Sequence, residues 1–374
     1  MKWPYLILSL ACCLFLSPAI AQEPIDPEIL DSFLNALDEP GDSIGSESAG
    51  PFDENWDPLQ EETPAALGLF DQVWEEFDRT YPYFDYKGID WNDLKESHRS
   101  DFAGDLAPDE FVDKLAILLR ELRDFHVSIR KPDGGFAEVY NRQIERNYTS
   151  DPRNRYSVSG YETMGDGVIR HGWLADEIAY IRIDTFAREA YAPLRESDID
   201  KLFTQYGNAR GMIIDIRPNN GGDETIAAGI AGWFTDKPLT YGYTARRNGP
   251  GHDEFEPPQK KVLEPHEGGR YAGPVACLIG ERCMSSAEWF TLMMKACPQV
   301  TLIGSATRGS SGNPAELRLP NGVVCGIPSW MAFTSEMKPF EDVGLPPEIT
   351  IPAEESFDAE HDFVVERAIR ELLN

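Results

Sequence analysis

The sequence predicts an α/β fold, a largely parallel sheet covered by helices, preceded by a helical cap. Three observations predict it. First, residues 212–216, 275–279 and 300–303 are continuous apolar runs of the kind found in strands buried on both faces. Second, helical segments at 224–233 and 287–296 separate these runs, and a β-α-β-α-β order implies parallel strands joined by right-handed crossovers. Third, residues 65–122 place Leu69, Val73 and Phe77, then Phe111, Leu115, Leu118, Leu119 and Leu122, at helical spacing. That stretch is expected to form a cap of about three helices.

Taken in order, the chain opens on Lys2, an apolar run at 5–16 and the small-residue triplet Ala19-Ile20-Ala21. This is the pattern of a signal peptide, residues 1–21, cleaved before Gln22. The run is too short to span a bilayer, so an exported protein, periplasmic or secreted, is expected without membrane insertion. Residues 22–63 hold no Lys or Arg and are rich in Asp, Glu, Pro, Gly and Ser. Such a composition cannot bury enough apolar surface to offset ordering entropy, so a disordered acidic arm is expected. The cap is assigned to 64–125 and the core to 126–374. Within the core, 127–186 reads as strands and loops ending in an alternating strand at 178–184, followed by a helix at 194–206. Residues 323–331 read as a strand pair or hairpin, and 360–373 as a terminal helix.

The 374 residues are 41% hydrophobic and 11% aromatic, globular values. A net charge of −30 argues against nucleic acid as a partner, because phosphate backbones require Lys and Arg to neutralise them. Removing the leader leaves Cys277, Cys283, Cys297 and Cys325. In an oxidising compartment they permit two disulfides in three connectivities, and Cys283 reads equally as a bridge bracing its turn or as a buried thiol.

The segment Cys283-Met-Ser-Ser-Ala-Glu-Trp-Phe290 carries most of the chemistry. A serine at the first turn of a helix sits where backbone N–H groups converge and the dipole favours negative charge, as an acyl-transfer oxyanion requires. The structural alternative is an N-cap at Ser285, with Glu288 three residues on completing a capping box. Other motifs accompany it: Leu122-Arg-Asp-Phe-His-Val-Ser128, a run from Gly211 ending in Asn219-Asn-Gly-Gly222, Leu302-Ile-Gly-Ser-Ala-Thr-Arg-Gly309, and Phe340-Glu-Asp-Val-Gly344. With Phe70-Asp-Gln-Val-Trp74 upstream, this ordered set resembles the tail-specific (C-terminal processing) serine proteases. The branch it is most similar to holds the tricorn protease core and the retinoid-binding-protein repeats.

The resemblance implies a crotonase-like ββα core and a serine-type peptidase acting on a peptide or protein substrate. It places the nucleophile at Ser285, with the adjacent Ser286 as runner-up, and oxyanion donors at the Ser286 amide and at Gly221 or Gly222. Lysine-dependent members carry their base where this chain has Ser310, so the lysine mechanism is lost. The tricorn-like branch takes a histidine from the cap–core junction, here His126, whose neutral imidazole suits proton abstraction near neutral pH. Glu341, with Asp342 beside it, matches that branch's supporting acid. Phe125 stands where the branch often has a small polar residue. Only about fifty residues separate His126 from the strand at 178, too few for a PDZ domain on ordinary domain sizes. Asp215 and Arg217 read as a structural ion pair. The sequence has no zinc-binding spacing, phosphate loop or dinucleotide fingerprint, so neither metal nor cofactor is expected. The alternative function is a peptide- or lipid-binding relative that kept the fold and lost catalysis.

Overall fold

The computed structural model describes residues 65–149, 156, 158–174 and 177–374. The expected signal peptide and acidic arm lie outside the described residues. The cap is three helices, α1 (Ala66–Thr80), α2 (Trp91–His98) and α3 (Pro108–Arg120). Pro108 opens α3, where its missing N–H costs nothing, and Asp90 caps α2 by accepting the Asp93 N–H. The apolar stripes meet: Phe70, Val73, Phe77, Leu115, Leu118 and Leu119 are buried together, each contributing about 1.5–3 kcal/mol. The same cluster includes Ile129, Cys325, Ile327 and Phe333, so the cap packs directly on the core.

A seven-stranded sheet runs in the order β14-β10-β9-β6-β5-β4-β3. Its strands are β3 (Val158–Met164), β4 (Ile169–Leu174), β5 (Ile178–Ile183), β6 (Gly211–Asp215), β9 (Val275–Ile279), β10 (Val300–Gly304) and β14 (Ile349–Thr350). The pairings from β14 through β5 are parallel, and β4 and β3 add an antiparallel edge. Helices α5 (Glu196–Gln205), α6 (Glu224–Ala231) and α7 (Ser286–Ala296) cover one face, and α8 (Phe363–Leu373) the other. A four-residue helix, α4 (Arg188–Tyr191), precedes α5. Coverage on both sides explains why β5, expected to alternate, is buried at every position.

Two smaller sheets complete the core. One has the order β11-β12-β1-β2, built from β1 (Ser128–Arg130), β2 (Phe136–Ala137), β11 (Pro314–Arg318) and β12 (Val324–Pro328). The other has the order β13-β7-β8, from β7 (Leu239–Ala245), β8 (Gln259–Leu263) and β13 (Met331–Thr334). The expected hairpin at 323–331 is therefore corrected. β12 pairs with β11 and β1 while β13 pairs with β7, because two residues after Pro328 carry the chain into a different sheet.

Beneath the sheet, Arg217 forms a bidentate pair with Asp215 (2.9 and 2.8 Å) and a second with Asp362 (both 2.9 Å), all buried. The expected structural ion pair thus also fastens β6 to the start of α8. All four described cysteines are buried free thiols. Cys283 donates to the Ile216 carbonyl at 3.1 Å and braces its turn without a bridge.

Candidate active site

Ser285 occupies the turn between β9 and α7 with φ 56° and ψ −131°, a conformation costly for a residue with a Cβ. Its side chain makes no capping bond, so the N-cap reading is corrected. Glu288 also departs from a capping box. It turns to residues 307–310 and accepts from Thr307 Oγ1 (2.6 Å), the Gly309 amide (2.7 Å) and the Ser310 amide (2.8 Å). Burial pushes its carboxyl up to about 7, against those three donors. Strain of this kind persists only where the surroundings over-determine it, and here two loops hold the turn. The Ser285 amide donates to the Ser310 carbonyl at 2.7 Å, and the Arg308 amide to the Cys283 carbonyl at 2.9 Å.

The Gly-Gly turn after β6 lies against this serine. A Cβ on Gly221 (φ 101°) would sit 2.8 Å from the Ser285 Cβ, and one on Gly222 (φ 139°) only 2.1 Å from the Phe186 carbonyl carbon. Glycine is required at both positions for close approach. The Gly221 N–H is committed to Asn219 Oδ1 at 2.8 Å. The amides of Gly222 and Ser286 have no acceptor among the described residues. Ser286 Oγ donates to the Gly222 carbonyl at 2.6 Å. Its hydroxyl is thus spent on holding the turn, which favours Ser285 over its neighbour as nucleophile.

His126 follows α3 at the cap–core junction and is nine-tenths buried. Its Nδ1 lies 2.7 Å from Ser310 Oγ. Asp124 Oδ1 accepts the His126 backbone N–H at 2.8 Å, the Asx turn that an Asp-x-His spacing permits. Asp124 Oδ2 accepts the Tyr81 hydroxyl at 3.0 Å. Burial lowers the imidazole pKa below its ordinary value; nearby Asp124 opposes this, while Arg308 and Lys87 add to it. Phe125 packs on Tyr140 and under the Arg308 guanidinium, 4.7 Å from its ring centre, and contributes no polar group.

Glu341 is buried on Lys87, whose Nζ lies 3.3 Å from Glu341 Oε1, 3.3 Å from Asp342 Oδ1 and 3.7 Å from Asp124 Oδ2. Burial and then the charge of Asp124 push the Glu341 carboxyl well above the usual range, against Lys87. One ammonium shared among three carboxyls leaves excess negative charge, and a proton on Glu341 relieves it. Glu341 therefore reaches His126 only through Lys87 and Asp124.

His126, Ser285, Ser286, Gly222, Trp289 and Trp330 are among the residues lining one cleft of about 630 Å3. Ser285, His126 and the Gly-Gly turn thus meet there, while Glu341 stands behind His126. Sequence reasoning assigned no role to Asp124 or Lys87, and treated Ser310 only as a lost lysine. The Asp-x-His spacing was a usable signal for Asp124; Lys87, in a different element, offered none. No group of three or more His, Cys, Asp or Glu arranged to hold a metal is found among the described residues.

Comparison with known proteins gives this geometry its class. Residues 177–351 match the model of peptidase family S41, and residues 66–119 match the tricorn protease C1 domain. A structure described as a candidate peptidase of Parabacteroides merdae is 25% identical, covering 83% of this chain and 98% of that one, with a TM-score of 0.74. The photosystem II D1 C-terminal processing protease shares the fold at 13% identity and a TM-score of 0.51, covering 83% of this chain and 98% of its own. A protein of Chlamydia trachomatis is 27% identical over 93 residues, which is 24% of this chain and only 16% of that relative. The chain thus carries a peptidase family S41 domain at residues 177–351, a little under half of its length, and its likeness to a peptidase structure supports a serine-type peptidase.

Proposed function

We propose that this chain is an exported serine peptidase that hydrolyses peptide bonds through an acyl-enzyme on Ser285. One observation carries the reading: a strained serine, two amides without acceptors and a buried imidazole share a single cleft. Ser285 Oγ attacks the scissile carbonyl carbon while its proton passes to His126 Nε2. The developing oxyanion rests on the Gly222 and Ser286 N–H groups, donors fixed in advance by the two turns. The tetrahedral intermediate then collapses, and His126 returns the proton to the departing amine. Water, deprotonated by the same imidazole, repeats the sequence on the ester and frees Ser285. Asp124 and the Lys87 cluster hold the base in place rather than touch substrate. Substrate capture proceeds without a PDZ domain.

The test is hydrolysis of unfolded casein by the wild type and by the Ser285→Ala and His126→Ala variants. Each variant is expected to lose at least about 10³-fold in kcat/KM. Full activity in Ser285→Ala would refute the assignment. A binding relative without catalysis would show no turnover in any of the three proteins. Export is supported by the leader-like residues 1–21. N-terminal sequencing of protein recovered from expressing cells should begin at Gln22, and retention of Met1 would contradict it.

A further inference from the structure

Ser310 joins the two halves of the proposed catalytic pair. Its carbonyl accepts the Ser285 amide at 2.7 Å, its amide is held by Glu288 Oε2 at 2.8 Å, and its hydroxyl lies 2.7 Å from His126 Nδ1. Ser310 is fully buried. Backbone bonds on both sides leave its side chain little freedom, so the imidazole meets a fixed partner. A hydroxyl can accept from an imidazole N–H or donate to an imidazole nitrogen, and the choice decides which tautomer is present.

We propose that Ser310 is a positioning residue that accepts from His126 Nδ1–H and thereby fixes the tautomer whose Nε2 is the base for Ser285. This rests on His126 being the base. With Nδ1 occupied, Nε2 is the nitrogen left to the cleft, and it carries the lone pair. When Nε2 takes the serine proton, the Nδ1–H···Oγ bond becomes charge-assisted and stabilises the imidazolium. The acceptor is a neutral hydroxyl, where a Ser-His-Asp triad would use a carboxylate. The residue standing at the expected lysine position thus serves the histidine that replaces lysine.

The test compares wild type, His126→Ala, Ser310→Ala and Ser310→Thr as full chains, with a fluorophosphonate as the probe. In Ser310→Ala the limiting labelling rate is expected to fall roughly ten- to hundred-fold while the half-saturating probe concentration changes less than about twofold. Its acid limb should move to lower pH, because the imidazolium has lost an acceptor. Ser310→Thr, which keeps the hydroxyl, should recover most of the rate. Nitrogen NMR of wild-type His126 should show a protonated Nδ1 and a bare Nε2. If His126→Ala abolishes labelling while Ser310→Ala labels like wild type with an unmoved acid limb, the Ser310 role is refuted and the base assignment stands. If His126→Ala labels like wild type, the base assignment itself fails. Should both Ser310 variants fail to fold, the wild-type spectrum decides, and a protonated Nε2 overturns the proposal.

Discussion

At Ser285 the backbone conformation separates function from stability. Its φ of 56° and ψ of −131° are open to glycine and strained for other residues. Ser285→Gly should therefore be more stable than Ser285→Ala by about 1 kcal/mol, both inactive. Equal denaturant midpoints would show that the turn stores no strain. His126 makes a second prediction, on pH. As base it must be neutral, and burial holds its pKa below 6.5. The acid limb of kcat/KM should accordingly fall below the ordinary imidazole value, with full activity above it. A rate that instead climbs steadily toward pH 9–10 would indicate a lysine-like base. Ser285, His126 and the glycines were legible because their residue types are dictated by chemistry and close approach. The role of Ser310 was not, since a hydrogen bond between residues 184 apart leaves no local pattern, whereas Asp124 went unread although its spacing of two from His126 was a local signal.

The element that organises the site is the loop 307–310, docked on α7 by Glu288. Folding raises the Glu288 carboxyl from 4.5 to about 7, because burial disfavours the charged form. A group raised in this way contributes stability that is fully present below pH 4.5 and is lost as pH rises through about 7. Glu288→Gln removes the titration, so its stability should be flatter than that of wild type between those values. The glutamine must also present an NH2 toward amide donors, so Ser310 should be mis-seated and labelling of Ser285 slowed. Parallel stability curves for the two proteins would contradict this account. The strands and helices around the loop were legible from apolar runs. A capping box was the wrong reading of Glu288, because its spacing from Ser285 fits a cap equally well and only the packed loop shows where the carboxylate points.

Across the whole molecule, Lys87 ties cap to core. It belongs to the loop between α1 and α2, yet it meets Glu341 and Asp342 from beyond β13, while the Tyr86 hydroxyl donates to the Glu341 carbonyl at 2.9 Å. Lys87→Met would leave three clustered carboxyls without their cation, and removing one partner of a buried pair costs about 3–5 kcal/mol. A clear drop in Tm with loosening at the His126 junction is expected, and an unchanged Tm would mean the cluster is solvated. The layered architecture was legible from the order of apolar runs. The assignment of β12 and β13 to separate sheets was not, since pairing partners up to two hundred residues apart are invisible to local spacing. The most direct test of the central claim is the intact mass and peptide map of the full chain after fluorophosphonate treatment. One adduct on Ser285, absent in His126→Ala at neutral pH, is the expected result; an adduct on Ser286, or one on Ser285 that forms equally fast without His126, would contradict it.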